Sequence, residues 1–316
     1  MDDHFEIRSS RAAQHLEQIK TDQPRAEGMW RQRSNRLLVE LFENLVKEMG
    51  VVTLLECGAH EAEISKRFAR SGMGRRAFAI EANPFTFESM TVRAAEHGVI
   101  AICEGLGAKS GTATLWIPAP DATHTRPRAP HASFLRMAHG EGQHHVSVEV
   151  PVTTLDLLAD RHHVEGDVAL WMDVEGVALD VIRGGPRLFS EQAAIVFLEV
   201  ESQPFWEGQP LVGEVEAQLL ASGLIPIARD FERSYQYNAI YARGLTPAME
   251  REIEAFQTAL LRPIPPAVVT ARYLRRRIWK RLKRAVRTVA SWVRAAAIAI
   301  FGVERLRRAR RLLRGG

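Results

Sequence analysis

The chain is poor in the residues that build covalent or metal frameworks. Among its 316 residues only two are cysteine, Cys57 and Cys103. Two thiols cannot make a disulfide network or a four-cysteine zinc site, and both read as small buried residues rather than nucleophiles. Glycine (22) and proline (15) are at ordinary levels, and no fixed-period repeat is visible. Collagen-like, low-complexity and wholly disordered classes are therefore excluded. The opening Met1-Asp2-Asp3-His4 leads into no apolar run. Nothing there reads as a secretion signal, and a cytoplasmic setting is the expectation.

What is present is an ordinary globular composition, with 46% hydrophobic and 25% charged residues and an uneven distribution of charge. The net charge is +4, yet residues 271–316 hold 16 Lys and Arg against one acid, Glu304. That segment carries +15 and residues 1–270 carry −11. The pI of 9.3 belongs to the tail. The body and the tail are expected to meet different partners.

Hydrophobic periodicity divides the chain. Residues 1–27 are polar and unpatterned and read as an arm. From Met29 to Met49, Leu37, Leu38, Leu41, Leu45 and Val46 recur at helical spacing, and Gly50 stops the helix. Short apolar runs then alternate with helical patterns. Strands are predicted at 51–55, 77–80 and 99–102, separated by helices at 61–70 and 84–97. Runs without polar alternation, divided by helices, indicate a parallel sheet covered on both faces. Strands at 111–117 and 146–150 flank a long Pro/His/Gly-rich loop, 118–145, of a length that suggests function. Thr154-Leu-Asp156 caps a short helix. Further strands at 168–172, 194–198, 224–228 and 237–242, with helices at 177–189 and 212–222, complete a doubly wound α/β sheet whose last strand is antiparallel. Residues 244–270 read as a linker.

Three acids follow the C-terminal ends of three predicted strands: Glu56, Glu81 and Asp173. In open α/β sheets that edge is where ligands bind. Gly58 permits a tight turn. Glu81, 25 residues after Glu56, is placed to accept hydrogen bonds from both hydroxyls of a ribose. The turn Gly58-Ala-His-Glu-Ala62 lacks the later glycines of a dinucleotide fingerprint, which points to a nucleoside cofactor without phosphates.

Six ordered segments carry a resemblance. They are Leu55-Glu-Cys-Gly-Ala-His60, Ala79-Ile-Glu-Ala-Asn-Pro84, Gly105-Leu-Gly-Ala-Lys-Ser-Gly-Thr-Ala-Thr-Leu115, Val152-Thr-Thr-Leu-Asp156, Met172-Asp-Val-Glu-Gly176 and Phe197-Leu-Glu-Val200. Over residues 50–243 the chain resembles the FkbM family of S-adenosylmethionine-dependent methyltransferases. The resemblance implies a class I, Rossmann-like methyltransferase fold and O-methylation of a hydroxyl on a sugar, polyketide or glycolipid-like acceptor. It implies that Glu56, Cys57, Gly58, Ala59 and His60 form the cofactor loop. Glu81 would hold the ribose, with Ala82 and Asn83 beside it, and Glu104, Gly105 and Leu106 would lie near the adenine. The chain departs from the family's Asp-x-Gly-Ala-Asn-x-Gly pattern at Glu56, His60 and Ala62. That departure motivates a second reading, a degenerate methyltransferase domain acting as a membrane-associated binding module.

Asp173 is the leading catalytic candidate, as a base or substrate-orienting carboxylate, against the alternative of a helix cap. Glu175 either binds substrate or favours a helix start. His60 is a candidate base or a structural hydrogen-bonding residue. Glu199 divides evenly between orienting substrate and capping a turn. The loop histidines His131, His139, His144 and His145 match no zinc spacing, so a substrate lid is favoured over a metal site. His162 and His163 read as solvated.

In the tail, at roughly 100° per residue, Leu274, Ile278, Leu282, Val286, Val289, Val293, Ala296 and Ile300 fall in an arc of about 120°. Arg276, Arg277, Lys280, Lys283, Arg284, Arg287 and Arg294 lie opposite, with Trp279 and Trp292 near the margins of the stripe. This is the profile of a helix lying in an anionic membrane interface. Docking on a partner or on the chain's own domain is the alternative. The apolar stretch 295–303 is too short for a span of ~20 residues. The tail has no Asn or Gln to read bases, which argues against nucleic acid.

Overall fold

A computed structural model describes residues 3–118, 131–138 and 145–312. Two helices open the chain, α1 (Asp3–Asp22) and α2 (Glu27–Glu48). Alternation follows as β1 (Thr53–Cys57), α3 (Glu63–Arg70), β2 (Arg76–Ile80), α4 (Pro84–Ala95) and β3 (Ile100–Ile102). A short β4 (Gly105–Leu106), β5 (Gly111–Pro118) and β6 (His145–Thr153) come next. Then α5 (Leu155–Arg161), β7 (Val168–Met172), α6 (Ala178–Arg183), β8 (Ala193–Glu201), α7 (Val212–Ala221), β9 (Ile225–Arg229) and β10 (Gln236–Ala242) complete the domain. Two more helices end the chain, α8 (Pro247–Leu261) and α9 (Pro266–Leu312).

The main sheet has seven strands in the order β3-β2-β1-β7-β8-β10-β9. All run parallel except β10, which opposes both of its neighbours. The chain winds outward from β1 through β2 to β3, then returns to β7 on the other side of β1. The sheet therefore reverses direction between β1 and β7, where a ligand crevice opens beyond the strand ends. Alternate residues of one strand serve opposite cores: Leu54 and Ala169 pack toward α1, α2 and α8, while Leu55 and Leu170 pack toward α5, α6 and α7. Both faces are covered, as the unalternating apolar strands require. The antiparallel pair β5–β6, with β4 beside β6, forms a separate three-stranded sheet over the crevice around Leu115, Ile117 and Val150.

Three sequence expectations change. Residues 1–27 are not a loose arm, because α1 buries Ala12, Leu16 and Ile19 at spacings of four and three. Residues 244–270 are not a linker. Thr246 caps α8 through Oγ1, which accepts from the Met249 N–H, and Met249, Ile253, Phe256 and Leu260 are buried. The two ends of the chain are tied together where the buried Trp30 donates from Nε1 to the Leu260 carbonyl at 2.9 Å. The helix expected over 177–189 ends at Arg183 and resumes as a single wide π-type turn over Leu188–Gln192. Gly184 lies so close to the Gly107 carbonyl that a Cβ would sit 2.1 Å from its oxygen, and Pro186 cannot supply the amide a continued helix needs.

Helix α9 starts at Pro266, five residues before the expected tail. Its base touches the body: Arg272 Nη2 donates to Gln32 Oε1 at 2.5 Å, and the Tyr273 ring lies 4.4 Å beneath the Arg25 guanidinium. Beyond that, Leu274, Ile278, Trp279, Leu282, Val286, Val289, Trp292 and Val293 are 50–74% exposed. Among the described residues no helix is long and apolar enough to cross a membrane.

Candidate active site

Strand register builds the site. Cys57 pairs with both Ile80 and Met172, and Met172 pairs with Leu198. The next residues along each strand, Gly58, Glu81, Asp173 and Glu199, therefore stand in a row, continued by Asn238, the partner of Glu199. Gly58 holds φ +79°, and a Cβ there would lie 1.8 Å from the Asp173 carbonyl oxygen. Only glycine lets the β1 and β7 turns close on each other.

The turn after β1 is held by the acid after β2. Glu81 Oε2 accepts from the His60 N–H at 2.8 Å and Oε1 from the Asn83 N–H at 2.7 Å. Each oxygen keeps a lone pair for a further donor. His60 and Ala62 both occupy the left-handed region, at φ 46° and 54°. For residues with a Cβ this costs on the order of 1 kcal/mol each, and the Glu81 bridge offsets part of it.

A cavity of about 310 Å³ opens along this row. Of the residues singled out in the sequence outside the lid, Gly58, His60, Glu81, Ala82, Glu104, Gly105, Leu106, Asp173, Glu175 and Glu199 line it. Glu56, Cys57, Ala59 and Asn83 stand behind its wall. Glu56 does not face a ligand: its carboxylate accepts from Ser65 N at 2.8 Å and Ile64 N at 3.3 Å, capping α3. Ala62 at the start of that helix has no side chain to do so, and the longer reach of Glu56 supplies the missing acceptor. Burial pushes its carboxyl up to about 7. Cys57 is wholly buried, which pushes its thiol far above the ordinary range. Asn83 caps α4, its Oδ1 accepting from Phe85 N at 3.1 Å.

Asp173 does not cap a helix, and among the described residues its carboxylate makes no hydrogen bond. Its exposed surface faces the cavity while protein closes round the rest. Burial and the charges of Glu175 and Glu201 push it up to about 7. Glu199 is pushed up to about 9 by burial and by Asp173, Glu175 and Glu201, and it accepts from Gln236 Nε2. Glu201 is pushed up to about 7 by burial and accepts from Gln209 Nε2 at 2.8 Å.

The site also contains residues the sequence reading left in a lid or did not single out. His131 contacts Glu175, and Ser133, Phe134, Arg233 and Gln236 complete the rim. No periodicity marks them, because they reach the site from the segment between β5 and β6, from the loop before β10 and from the first residue of β10. His139 and His144 lie outside the described residues, and His145 opens β6. Among the described residues no group of three His, Cys, Asp or Glu is arranged to hold a metal.

The carboxyls raised by burial make stability depend on pH. Glu199 sheds its proton near pH 4.5 when unfolded and near 9 when folded. Folding is therefore progressively disfavoured as pH climbs between those values, and the penalty vanishes below them. Glu199→Gln keeps an oxygen for Gln236 and removes the charge. Thermal unfolding should show the variant and wild type melting together at pH 4. At pH 8.5 the variant should melt several degrees higher, reflecting on the order of 1–3 kcal/mol. Equal melting at both values would place Glu199 in a wetter environment than the structure shows.

A family model described as the methyltransferase FkbM domain matches residues 56–237, more than half of the chain. The chain belongs to the FkbM methyltransferase family. It is a methyltransferase, and the methyl donor of such enzymes is S-adenosylmethionine. The FkbM match runs from the end of β1 to the start of β10, leaving α1, α2, α8 and α9 outside it. No curated protein matches the chain. Among solved structures, it is similar to fibrillarin from Aeropyrum pernix with natively bound S-adenosyl-L-methionine, at 11% identity over 60% of this chain and 66% of that one, TM-score 0.36. It is also similar to the magnesium protoporphyrin IX methyltransferase of Synechocystis with the same molecule bound, at 11% identity over 69% and 80%, TM-score 0.35. The precorrin-6y C5,15-methyltransferase of Geobacter metallireducens matches at 13% identity over 61% and 80%, TM-score 0.33. The FkbM assignment rests on the family match, and the strand order agrees with the fold that family implies.

Proposed function

We propose that this FkbM protein transfers the methyl group of S-adenosylmethionine to a hydroxyl of a sugar or glycolipid-like acceptor, at the inner face of a membrane. The observation that carries this reading is the row Gly58–Glu81–Asp173 at the sheet's reversal point. The residues fit the cofactor. Glu81 is buried, faces the cavity and has a free lone pair on each oxygen for the two ribose hydroxyls. Ile80, Leu106 and Phe134 offer apolar wall for a base, and Gly58 lets backbone approach closely. When bound, the cofactor supplies an electrophilic methyl carbon. Gly58, Ala59 and His60 shape the loop against it, while Ala82 and Glu104–Leu106 border the nucleoside end, with Asn83 behind them.

The other half of the cavity is dense in hydrogen-bonding groups: Asp173, Glu175, Glu199, Gln236 and Asn238. Such a surface suits a polyol better than an apolar acceptor. Asp173 accepts a hydrogen bond from an acceptor hydroxyl beside the reacting one and thereby holds the reacting oxygen in line with the methyl group, so that orientation supplies much of the rate. Asp173→Asn keeps the shape and loses the charge. Cofactor affinity should stay within a few-fold, while turnover falls by about 10²-fold or more. Wild-type turnover in that variant would remove Asp173 from the site's chemistry. Product mass spectrometry over candidate glycolipids tests the acceptor class.

The exposed apolar stripe and opposed basic face of α9 support the membrane placement. One observation favours the module reading instead: His60 and Ala62 hold left-handed backbone where the family's pattern places Asn and Gly. Calorimetry separates the two, because a binding module gives no heat with millimolar S-adenosylmethionine.

A further inference from the structure

We infer that His131, positioned by Glu175, is the group that takes the proton from the acceptor hydroxyl. The inference rests on the O-methyl transfer proposed above and names a residue that reading did not use. Nδ1 of His131 lies 2.9 Å from Glu175 Oε1. A carboxylate there holds the hydrogen on Nδ1 and leaves Nε2 unprotonated, the tautomer a base requires.

Both partners are held from separate elements. Glu175 follows β7 with φ 46°, a conformation an L-residue keeps only when its surroundings impose it. The next residue, Gly176, lies under Trp206, where a Cβ would come within 2.5 Å of the indole Cδ1. Ser133 Oγ donates to the Glu175 carbonyl at 2.6 Å and accepts from Leu135 N at 3.0 Å. Ser133 is itself fixed to β5 by two backbone hydrogen bonds with Trp116, at 2.8 and 3.1 Å. His131 thus stands two residues from a clamp on the backbone of its own carboxylate partner. The strain at Glu175 is spent on this contact.

The placement suits an acceptor. The His131 side chain is 61% exposed on the cavity wall, whereas Glu81, which also lines it, is buried. An acceptor entering over a bound cofactor meets the imidazole and Asp173 together. The hydroxyl proton passes to Nε2 of His131 as its oxygen bonds to the methyl carbon. The carbon–sulfur bond breaks with its electron pair left on sulfur. One positive charge moves from sulfonium to imidazolium and none is created. The carboxylates of Asp173 and Glu175 face a cation before and after the step, so little electrostatic reorganisation is needed. The charged groups facing the imidazole are Glu175 and Asp173, which favour its protonated form, and Arg233, which opposes it.

The test uses the full chain, saturating S-adenosylmethionine and a panel of methyl glycosides as acceptors. His131→Ala and His131→Gln should bind cofactor within about threefold of wild type and lose roughly 10²–10³-fold in turnover. The wild-type rate should rise with pH along a limb that is missing in both variants, and added imidazole should restore part of the His131→Ala rate. By NMR, the His131 imidazole should titrate at lower pH in Glu175→Gln than in wild type. Wild-type rates with the pH limb retained in either variant would overturn the role of His131. An imidazole titration unmoved by Glu175→Gln would overturn the pairing, whatever the acceptor. A wild-type protein that binds cofactor but methylates no glycoside would instead overturn the acceptor class, leaving the NMR result to decide the pairing separately.

Discussion

Glu81→Ala should lower affinity for S-adenosylmethionine by at least about a hundredfold in titration calorimetry. Hydrogen bonds to a charged group are worth roughly 1.5–3 kcal/mol each, and two ribose hydroxyls lose their acceptor together. The loss has a second source. The same carboxylate holds the His60 and Asn83 amides, so its removal also frees the strained turn at His60 and Ala62. Glu81→Gln separates the two effects in part, because it keeps one acceptor oxygen and the packing. It should bind more tightly than the alanine variant and more weakly than wild type. Burial raises the Glu81 carboxyl above its ordinary value, so wild-type affinity should weaken as pH falls and the acceptor is protonated. Undiminished affinity in Glu81→Ala would remove the ribose from this position.

The second large effect concerns α9. The full chain should sediment with phosphatidylglycerol vesicles and remain in the supernatant over phosphatidylcholine. Basic residues near an anionic surface contribute about 1 kcal/mol each within a Debye length. The apolar stripe adds burial that it lacks in solution, since its side chains are at least half exposed from Leu274 to Val293. Burying one such side chain is worth about 1.5–3 kcal/mol, so the triple variant Ile278→Glu, Leu282→Glu, Val286→Glu should lose binding by more than 10³-fold. Raising salt should weaken the wild type and leave residual attachment through the apolar face. The body, at −11, should be repelled by the same surface, so that any attachment falls to the helix. If the full chain stays in the supernatant over both lipids, the stripe serves a protein partner instead. An enzyme held this way would meet a lipid-linked acceptor at the surface where it resides.

The sequence by itself determined the alternation of strands and helices, the reversal of the last strand and the acids that follow β2 and β7, whereas Glu56, expected past the end of β1, lies inside it. These are legible because a fully buried parallel strand must be apolar throughout and a covering helix must be apolar on one side. The strand-end position of Glu81 and Asp173 followed from the same rule. The charge division between body and tail also needed no coordinates. Tertiary structure alone decided which acid faces the ligand. Glu56 lies inside β1 opposite Ala79, two residues short of the row that holds Glu81, and it turns back to cap α3 because Ala62 leaves that helix without an acceptor. It also decided that α1 and α8 belong to the core, since spacings as sparse as Ala12, Leu16 and Ile19 acquire meaning only against a partner surface. The pairing of His131 with Glu175 joins residues 44 apart across two sheets. Local periodicity carries no record of such a contact, because it forms only when the second sheet folds over the crevice.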